Sequence, residues 1–233
     1  MHHLPTTLED GPLRRSAGVA ALLFVAASVV SMLVSGPPVV HVGQEGLEHS
    51  LSGRGLAAAL TGLAVVTAGL VVLLLAVTYL AQSLGRRSAV GALAAQTGWG
   101  AGLGYVVVLV GAAFPAGAAA AWASDGGMAL ETVLLVNNVR NFAYLAVLPL
   151  MGVTALGLGV AALTDRSLTR WTGWGGVTVG GLTLLALPAA AVGITYAMPL
   201  WLLWWTGVGV SLLRRPVPAA VSTLPSAVGV RHT

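Results

Sequence analysis

Long apolar stretches separated by short polar segments make up most of the chain. A transmembrane α-helix needs about 20 mainly apolar residues to cross the hydrocarbon core of a bilayer. Six stretches approach or exceed this length: residues 16–35, a stretch within 56–84, and residues 89–113, 142–163, 172–194 and 196–213. The pattern therefore predicts an all-α fold, a polytopic transmembrane helix bundle with six spans.

Two segments between the predicted spans have a mixed character. Residues 114–127 are rich in alanine and glycine but include one tryptophan and one aspartate, which is typical of an interfacial hairpin. The segment just before residue 142 carries Glu131 and several asparagines, so we expect a helical extension outside the membrane there. Pro149 falls inside the fourth span and is expected to kink it, because proline removes a backbone hydrogen bond.

The arginine positions predict the orientation of the spans. All 11 basic residues are arginines, and nine share one side of the membrane if the N-terminus lies there: Arg14, Arg15, Arg86, Arg87, Arg166, Arg170, Arg214, Arg215 and Arg231. Positive residues mark cytoplasmic loops, so we expect both termini to be cytoplasmic. This gives a cytoplasmic N-terminal segment at 1–15, a six-helix transmembrane domain at 16–214 and a disordered cytoplasmic tail at 215–233.

Composition excludes several classes of function. The chain is 57% hydrophobic and 8% charged, whereas a soluble domain carries roughly 25% charged residues. A soluble enzyme and a soluble binding module are therefore excluded. No cysteine or lysine is present, so thiolate metal sites and Schiff-base chemistry are excluded as well. The arginine pairs lie beside apolar stretches, which indicates topology signals and no nucleic-acid partner.

Polar residues near the spans are the candidates for a site. Gln96 lies about eight residues into the third span, roughly 12 Å deep, together with Thr97, so we expect it to face the bundle interior. It either forms an interhelical hydrogen bond or lines a substrate path. Thr154 is the third polar residue near mid-depth.

The segment from Asn137 to Tyr144 is the most polar part of any predicted helix. Arg140 is about 35 Å along a helix from Leu163, which puts it at the outer membrane boundary. It either reaches lipid phosphate or lines a pocket at the extracytoplasmic mouth, binding an anion or pairing with Glu131 or a loop carboxylate. The candidate ligand-binding residues are Asn137, Arg140, Asn141, Tyr144 and Gln96.

Three further patterns have both a structural and a functional interpretation. His41, Glu45, Glu48 and His49 in the first external loop have side chains that bind divalent metals, but mixed polar loop residues are usually only solvated. Trp201, Trp204 and Trp205 share one helix face, which favours an anchor or packing face over a ligand cage. The glycine pairs Gly98/Gly102, Gly100/Gly104 and Gly176/Gly180 favour packing within the chain over homodimerisation. The sequence predicts no metal centre, no cofactor and no catalytic residue, and a homo-oligomer stays open.

From residue 138 to residue 215 the layout resembles an uncharacterised bacterial family of small six-span membrane proteins. The resemblance lies in a polar and aromatic start of span four at residues 140–144, a Pro-Leu-Met-Gly stretch at 149–152, and a basic loop at 165–170. A glycine-rich fifth span and a tryptophan-bearing sixth span follow. This chain has Arg140-Asn141 where family members often carry His-Asp. The resemblance implies a six-span fold in a bacterial plasma membrane and no established activity.

Two functions remain open at this point. The first is a non-enzymatic sensing or accessory component that binds a small molecule or lipid at an extracytoplasmic pocket, where Asn137, Arg140 and the loop at 41–49 would converge. The second is a small-solute or ion transporter, acting as a monomer or an oligomer, which would need a site at mid-depth. A membrane enzyme ranks third, because no acid–base pair converges in the sequence.

Overall fold

The structure is a computed structural model that describes residues 10–35, 55–165, 168–192 and 197–214. Helices joined by short turns make up these ranges, with no strand among the described residues, as the sequence predicts. The helices are α1 (Asp10–Ser35), α2 (Leu56–Ser83), α3 (Ala89–Val108), α4 (Phe114–Asp125), α5 (Leu130–Asp165), α6 (Arg170–Leu185) and α7 (Ala197–Arg214). A π-helical segment, Leu109–Ala113, joins α3 to α4, and a 3-10 segment, Leu187–Val192, follows α6.

Hydrogen bonds gather the arginine-bearing helix ends at one end of the bundle, here called the arginine end. Arg14 Nη2 of α1 donates to the Ser211 carbonyl of α7 at 3.2 Å. The backbone N–H of Thr169, just before α6, donates to Ser211 Oγ at 3.4 Å. Asp165 at the end of α5 accepts from the turn between α2 and α3. The opposite end, here called the hairpin end, carries the turn between α4 and α5 at residues 126–129.

α5 lies at the centre of one half of the bundle, where it packs against α3, α4 and α6, while α1 packs against α2 and α7. Four described helical stretches are long and apolar enough to cross a membrane: Gly11–Ser35, Leu56–Ser83, Ala89–Asp125 and Leu130–Asp165. α6 and α7, with 16 and 18 residues, do not reach that standard. Four helices able to span a membrane therefore stand as a finding, and six spans stay a prediction.

The structure corrects one predicted element and several boundaries. The interfacial hairpin at 114–127 is wrong: α4 continues α3 through the π segment, and the chain turns only at Gly126 and Gly127. The helical character of the predicted extension before residue 142 is confirmed, since α5 begins at Leu130, while its position outside the membrane stays a prediction. α1 begins six residues before the predicted first span, and the predicted fifth span loses α-helical geometry at Leu185.

Proline geometry explains how the third helix continues past Pro115. A proline ring in an α-helix collides with the carbonyl four residues earlier, which here belongs to Gly111. The π segment covers that residue and shifts the hydrogen bonding by one position, so that the Phe114 N–H donates to the Leu109 carbonyl. Pro115 then occupies the first turn of α4, where a missing N–H costs nothing. The Phe114-Pro115 pair therefore marks a change of helix type and not a helix end.

Glycines set the spacing of the central helices. A Cβ on Gly157 of α5 would lie 2.6 Å from the Ala94 carbonyl oxygen and 2.9 Å from the Gly98 nitrogen of α3. A Cβ on Gly180 of α6 would lie 2.6 Å from the Gly152 carbonyl oxygen. Backbones therefore touch on both sides of α5. This confirms intramolecular packing for Gly98, Gly176 and Gly180, whereas Gly100 has nothing within 4 Å of its Cβ position.

Candidate functional site

The predicted outer site lies between α4 and α5, toward the hairpin end. Gly91 of α3 meets Thr164, Gly98 meets Leu158 and Gly117 meets Arg140, so α3 and α4 run antiparallel to α5 in a constant register. By that register the π segment lies level with about residues 143–148 of α5. A π segment inside an α-helix often accompanies a functional site, and this one lies beside the Tyr144 end of the predicted cluster.

Asn137 is fully enclosed in this helix pair. Its exposed fraction is 1%, and neither Nδ2 nor Oδ1 has a hydrogen-bond partner among the described residues. Its neighbours one turn away include Val133, which packs with Ala120 and Ala123 of α4. A buried amide without partners costs free energy, so this position calls for a polar group that the described residues do not supply.

Arg140 follows one turn after Asn137, on the same side of α5. The aliphatic part of its side chain crosses α4 at Gly117, where a Cβ would lie 3.1 Å from Arg140 Cδ. Its Nε is buried and has no partner among the residues described. Its Nη2 reaches Asn141 Oδ1 at 3.5 Å, which is at the limit of a hydrogen bond. Glu131 and Asp125 are both exposed, and neither forms an ion pair with Arg140 among the described residues, so the expected pairing with Glu131 is not seen.

Asn141 and Tyr144 complete the cluster. Asn141 is buried, and Tyr144 is partly buried and lies one helical turn after Arg140 on α5. The structure thus brings together four of the five predicted site residues: Asn137, Arg140, Asn141 and Tyr144. Their chemistry is one guanidinium with two amides and a hydroxyl, which suits an anion with several acceptor oxygens.

The fifth predicted residue, Gln96, is elsewhere, and its expected orientation is wrong. Its side chain is exposed on the outer face of α3 and does not point into the bundle, and neighbouring Thr97 is exposed as well. The face of α3 that meets α5 is formed instead by Gly91, Gly98 and Gly102. Close backbone contact therefore decides the rotation of α3, and the polar residue is left outside.

Asp165 at the arginine end is a structural residue, whereas the sequence pattern predicts only a basic loop there. It is 4% exposed. Its Oδ2 accepts the Arg86 N–H at 2.9 Å and its Oδ1 accepts the Arg87 N–H at 3.3 Å. The preceding Gly85 has a φ of 79°, so two successive N–H groups converge on one carboxylate. The sequence shows the Gly-Arg-Arg turn but not its partner, because Asp165 lies 78 residues further along the chain than Arg87.

The aromatic face of α7 packs inside the bundle. Trp201, Trp204 and Trp205 are buried, Trp201 lies 5.4 Å from Tyr105 between ring centroids, and Trp204 Nε1 donates to the Thr172 carbonyl at 3.1 Å. This confirms a packing face for these three residues. In contrast, Trp171 and Trp174 of α6 are exposed.

No metal centre forms in the part of the chain that the structure describes, where no three His, Cys, Asp or Glu side chains come together. The loop with His41, Glu45, Glu48 and His49 lies outside the described residues, as does the predicted tail at 215–233.

Comparison of the chain with protein-family models, with curated proteins and with solved structures gives no match. The resemblance to a bacterial six-span family therefore stays a prediction, and a function has to follow from the chemistry of the site.

Proposed function

We propose that the protein is a multi-pass bacterial plasma-membrane component without enzymatic activity, which binds an anionic small molecule or lipid headgroup at the extracytoplasmic side. The binding residues are Asn137, Arg140, Asn141 and Tyr144. The role is sensing or accessory to other membrane proteins. The observation that carries this proposal is the juxtaposition of a fully buried, unpartnered Asn137 amide with an Arg140 guanidinium that no described carboxylate neutralises.

The depth of the cluster supports an anionic ligand. If Leu163 lies at the cytoplasmic boundary of the hydrocarbon, Tyr144 lies about 29 Å along the helix, at the opposite boundary. Arg140 then lies about 6 Å beyond it, within the roughly 5–8 Å of headgroups on each side of the bilayer. Lipid phosphates occupy this level, and a free anion reaches it from the aqueous phase.

Packing around Gly117 supports the same site. A side chain at this position would occupy the path of Arg140 across α4. Because glycine leaves that path open, the guanidinium is held between the two helices. A partly buried cation between rigid helices is better placed to select an anion than one that moves freely in solvent.

No described residue set favours the transporter alternative. A transporter of this size would need polar groups converging at mid-depth. Gln96 and Thr97 are exposed on the outer face of α3, while the Thr154 hydroxyl donates to the Leu150 carbonyl of its own helix at 2.7 Å. The three candidates therefore do not converge.

Thermal unfolding of the detergent-purified full chain tests the site. We expect dihexanoyl phosphatidylglycerol or inorganic phosphate to stabilise the protein, by about 2.7 kcal/mol at one hundred times the Kd. Arg140→Leu should abolish this stabilisation, because the anion loses its guanidinium partner. Dihexanoylglycerol, which lacks the phosphate, should have no effect on either protein.

The matched control is Arg15→Leu, which removes an exposed arginine at the other end of the bundle and should keep the full response. Stabilisation by the lipid alone identifies a headgroup site, and stabilisation by both probes identifies a site for free anions as well. A wild-type protein that responds to neither phosphate probe, or an Arg140→Leu variant that responds as strongly as wild type, contradicts the proposal.

A further inference from the structure

Three hydrogen-bond donors lie together inside the bundle without an acceptor, apart from the Arg140 cluster. They are the Tyr105 hydroxyl of α3 and the indole N–H groups of Trp201 and Trp205 of α7. Each residue is at most 1% exposed, and none of the three polar atoms has a hydrogen-bond partner in the described part of the chain. The ring centroid of Trp201 lies 5.4 Å from that of Tyr105 and 5.6 Å from that of Trp205. The three side chains therefore form one group, here called the donor cluster.

Ser28 of α1 adds a fourth polar group at the same level. It is 1% exposed, and its Oγ also has no partner among the residues that the structure describes. It follows Phe24 by one helical turn, and the Phe24 ring lies 6.5 Å from that of Trp205. Since α1 and α7 run antiparallel, one turn after Phe24 corresponds to one turn before Trp205, which puts Ser28 level with Trp201.

The neighbouring Trp204 shows what the other two indoles lack. Its Nε1 donates to the Thr172 carbonyl of α6 at 3.1 Å. An indole N–H donates and cannot accept, and a buried donor without an acceptor costs free energy. Trp201 and Trp205 therefore call for acceptor atoms that the described side chains and backbone do not supply.

The surroundings of the donor cluster favour a neutral, flat ligand. No charged residue occurs in α3 or in residues 16–35 and 197–213 of α1 and α7, the helices that supply the cluster. A charged ligand would therefore be buried without a counter-charge. Aromatic rings surround the donors, and a flat ring packs favourably against such rings.

We propose that the donor cluster binds a neutral, flat ring with carbonyl acceptors, which is the chemistry of a quinone headgroup. The carbonyl oxygens accept from the indole N–H groups and from the hydroxyls of Tyr105 and Ser28, while the ring packs against the aromatic side chains. A molecule of this class partitions into the apolar part of a bilayer, so the membrane supplies it.

The depth of the cluster suits a ligand that is retained and not passed through. Trp201 lies 13 residues before Arg214, and Tyr105 lies 16 residues after Ala89, which places both about 20–24 Å from the arginine end. The residues of α1 and α7 that line the bundle between this level and the arginine end are apolar and buried: Ala17, Ala21, Val208 and Leu212. They offer no polar route from the cluster to that end.

Thermal unfolding of the detergent-purified full chain with two matched probes tests the site. Menadione is a flat bicyclic ring with two carbonyl oxygens, and 2-methylnaphthalene has the same carbon skeleton without them. We expect menadione to raise the unfolding temperature and 2-methylnaphthalene to leave it unchanged. Because the chain has no cysteine, menadione cannot stabilise it by covalent attachment to a thiol.

Tyr105→Phe separates hydrogen bonding from packing, since it removes the hydroxyl and keeps the ring. The Kd for menadione should rise by about threefold to tenfold, the effect of losing one hydrogen bond. Without menadione the unfolding temperature should stay the same or rise, because the hydroxyl has no partner in the described protein. Tyr79→Phe, the same change at a partly buried tyrosine near the arginine end of α2, is the matched control and should keep the wild-type Kd.

A wild-type protein that menadione does not stabilise, or that both probes stabilise equally, overturns the proposal. The first of these results leaves ordered water as the acceptor. A Tyr105→Phe variant with the wild-type Kd, or one whose Kd rises no more than that of Tyr79→Phe, overturns it as well. None of these variants changes Arg140, so the outcome is independent of the anion site.

Discussion

At the scale of single residues, buried polar groups fall into two kinds. Asp165 has its two oxygens engaged by two backbone N–H groups, so burial is compensated and the residue holds the α2–α3 turn against the end of α5. Asn137 has neither of its amide atoms engaged by a described residue. Compensated burial indicates a structural role, and uncompensated burial beside a cation indicates a position where a ligand contributes the missing bonds.

The structural role of Asp165 predicts a loss of stability on substitution. Asp165→Ala leaves the N–H groups of Arg86 and Arg87 without their acceptor, and we expect the free energy of unfolding to fall by about 1–3 kcal/mol. Asp165→Asn keeps one acceptor oxygen, so its free energy of unfolding should lie between those of the wild type and Asp165→Ala. Detergent-solubilised protein followed by thermal or denaturant unfolding measures both. Asp125→Ala at the exposed hairpin end is the control, and a loss as large as that of Asp165→Ala would refute the role.

At the scale of helices, contact between backbones replaces the hydrophobic driving force that is absent in lipid. α5 has such contact on two sides, with α3 through Gly157 and with α6 through Gly152 and Gly159. The position of Arg140 depends on this arrangement, because Gly117 continues the same series of close contacts into α4. Glycines at the helix contacts thus set both the spacing of the helices and the position of Arg140.

Two adjacent glycines of α6 test this spacing. A Cβ on Gly180 would lie 2.6 Å from both the Gly152 oxygen and the Leu156 nitrogen, whereas a Cβ on Gly181 would have nothing within 4 Å. We expect Gly180→Ala to destabilise the protein by about 1–3 kcal/mol through overpacking. Gly181→Ala should be neutral or stabilising by up to about 1 kcal/mol, because alanine is the better helix former. Equal unfolding temperatures for the two variants would contradict close packing at Gly180.

At the scale of the whole molecule, the arginine end and the hairpin end lie on opposite sides of the bundle. Arg14, Arg86 and the residues around Ser211 meet at one end through hydrogen bonds, as the predicted alternation of the spans requires. The pair formed by α3–α4 and α5 is about 55 Å long, longer than the hydrocarbon core. If the protein spans a membrane, part of this helix pair therefore has to lie beyond the hydrocarbon core.

Labelling of single cysteines checks the orientation, again in a chain that has no cysteine of its own. Ser124→Cys at the hairpin end should react with a membrane-impermeant maleimide in intact cells, because the positive-inside rule predicts that this end lies outside. Ser16→Cys, exposed at the arginine end, should react only after the cells are opened. The reverse pattern would invert the proposed topology and move the Arg140 cluster to the cytoplasmic side.

The amino-acid sequence by itself determined the helical class, four stretches long and apolar enough to span a membrane, and the polar segment of α5. These follow from the length of apolar stretches and from the exclusion of charge, both of which depend on local composition. The sequence also predicts the helical extension from Leu130 and the packing face of the three tryptophans, since each is a pattern on one helix. The predicted break at Phe114-Pro115 failed because a proline can be accommodated by a π segment, which leaves no compositional mark.

Only the tertiary structure decided the rotation of each helix and the partners across the chain. In a membrane both the lipid-facing and the interior side of a helix are apolar, so polarity carries little information about rotation. For α3, the close packing of Gly91 and Gly98 against α5 determines the rotation of the helix, and Gln96 therefore lies on its outer face, contrary to the prediction. Two other contacts likewise join residues that are distant in sequence and meet only because the backbones pack together. One is the hydrogen bonding of Asp165 to the Arg86–Arg87 turn, and the other is the contact of Arg140 with α4 at Gly117.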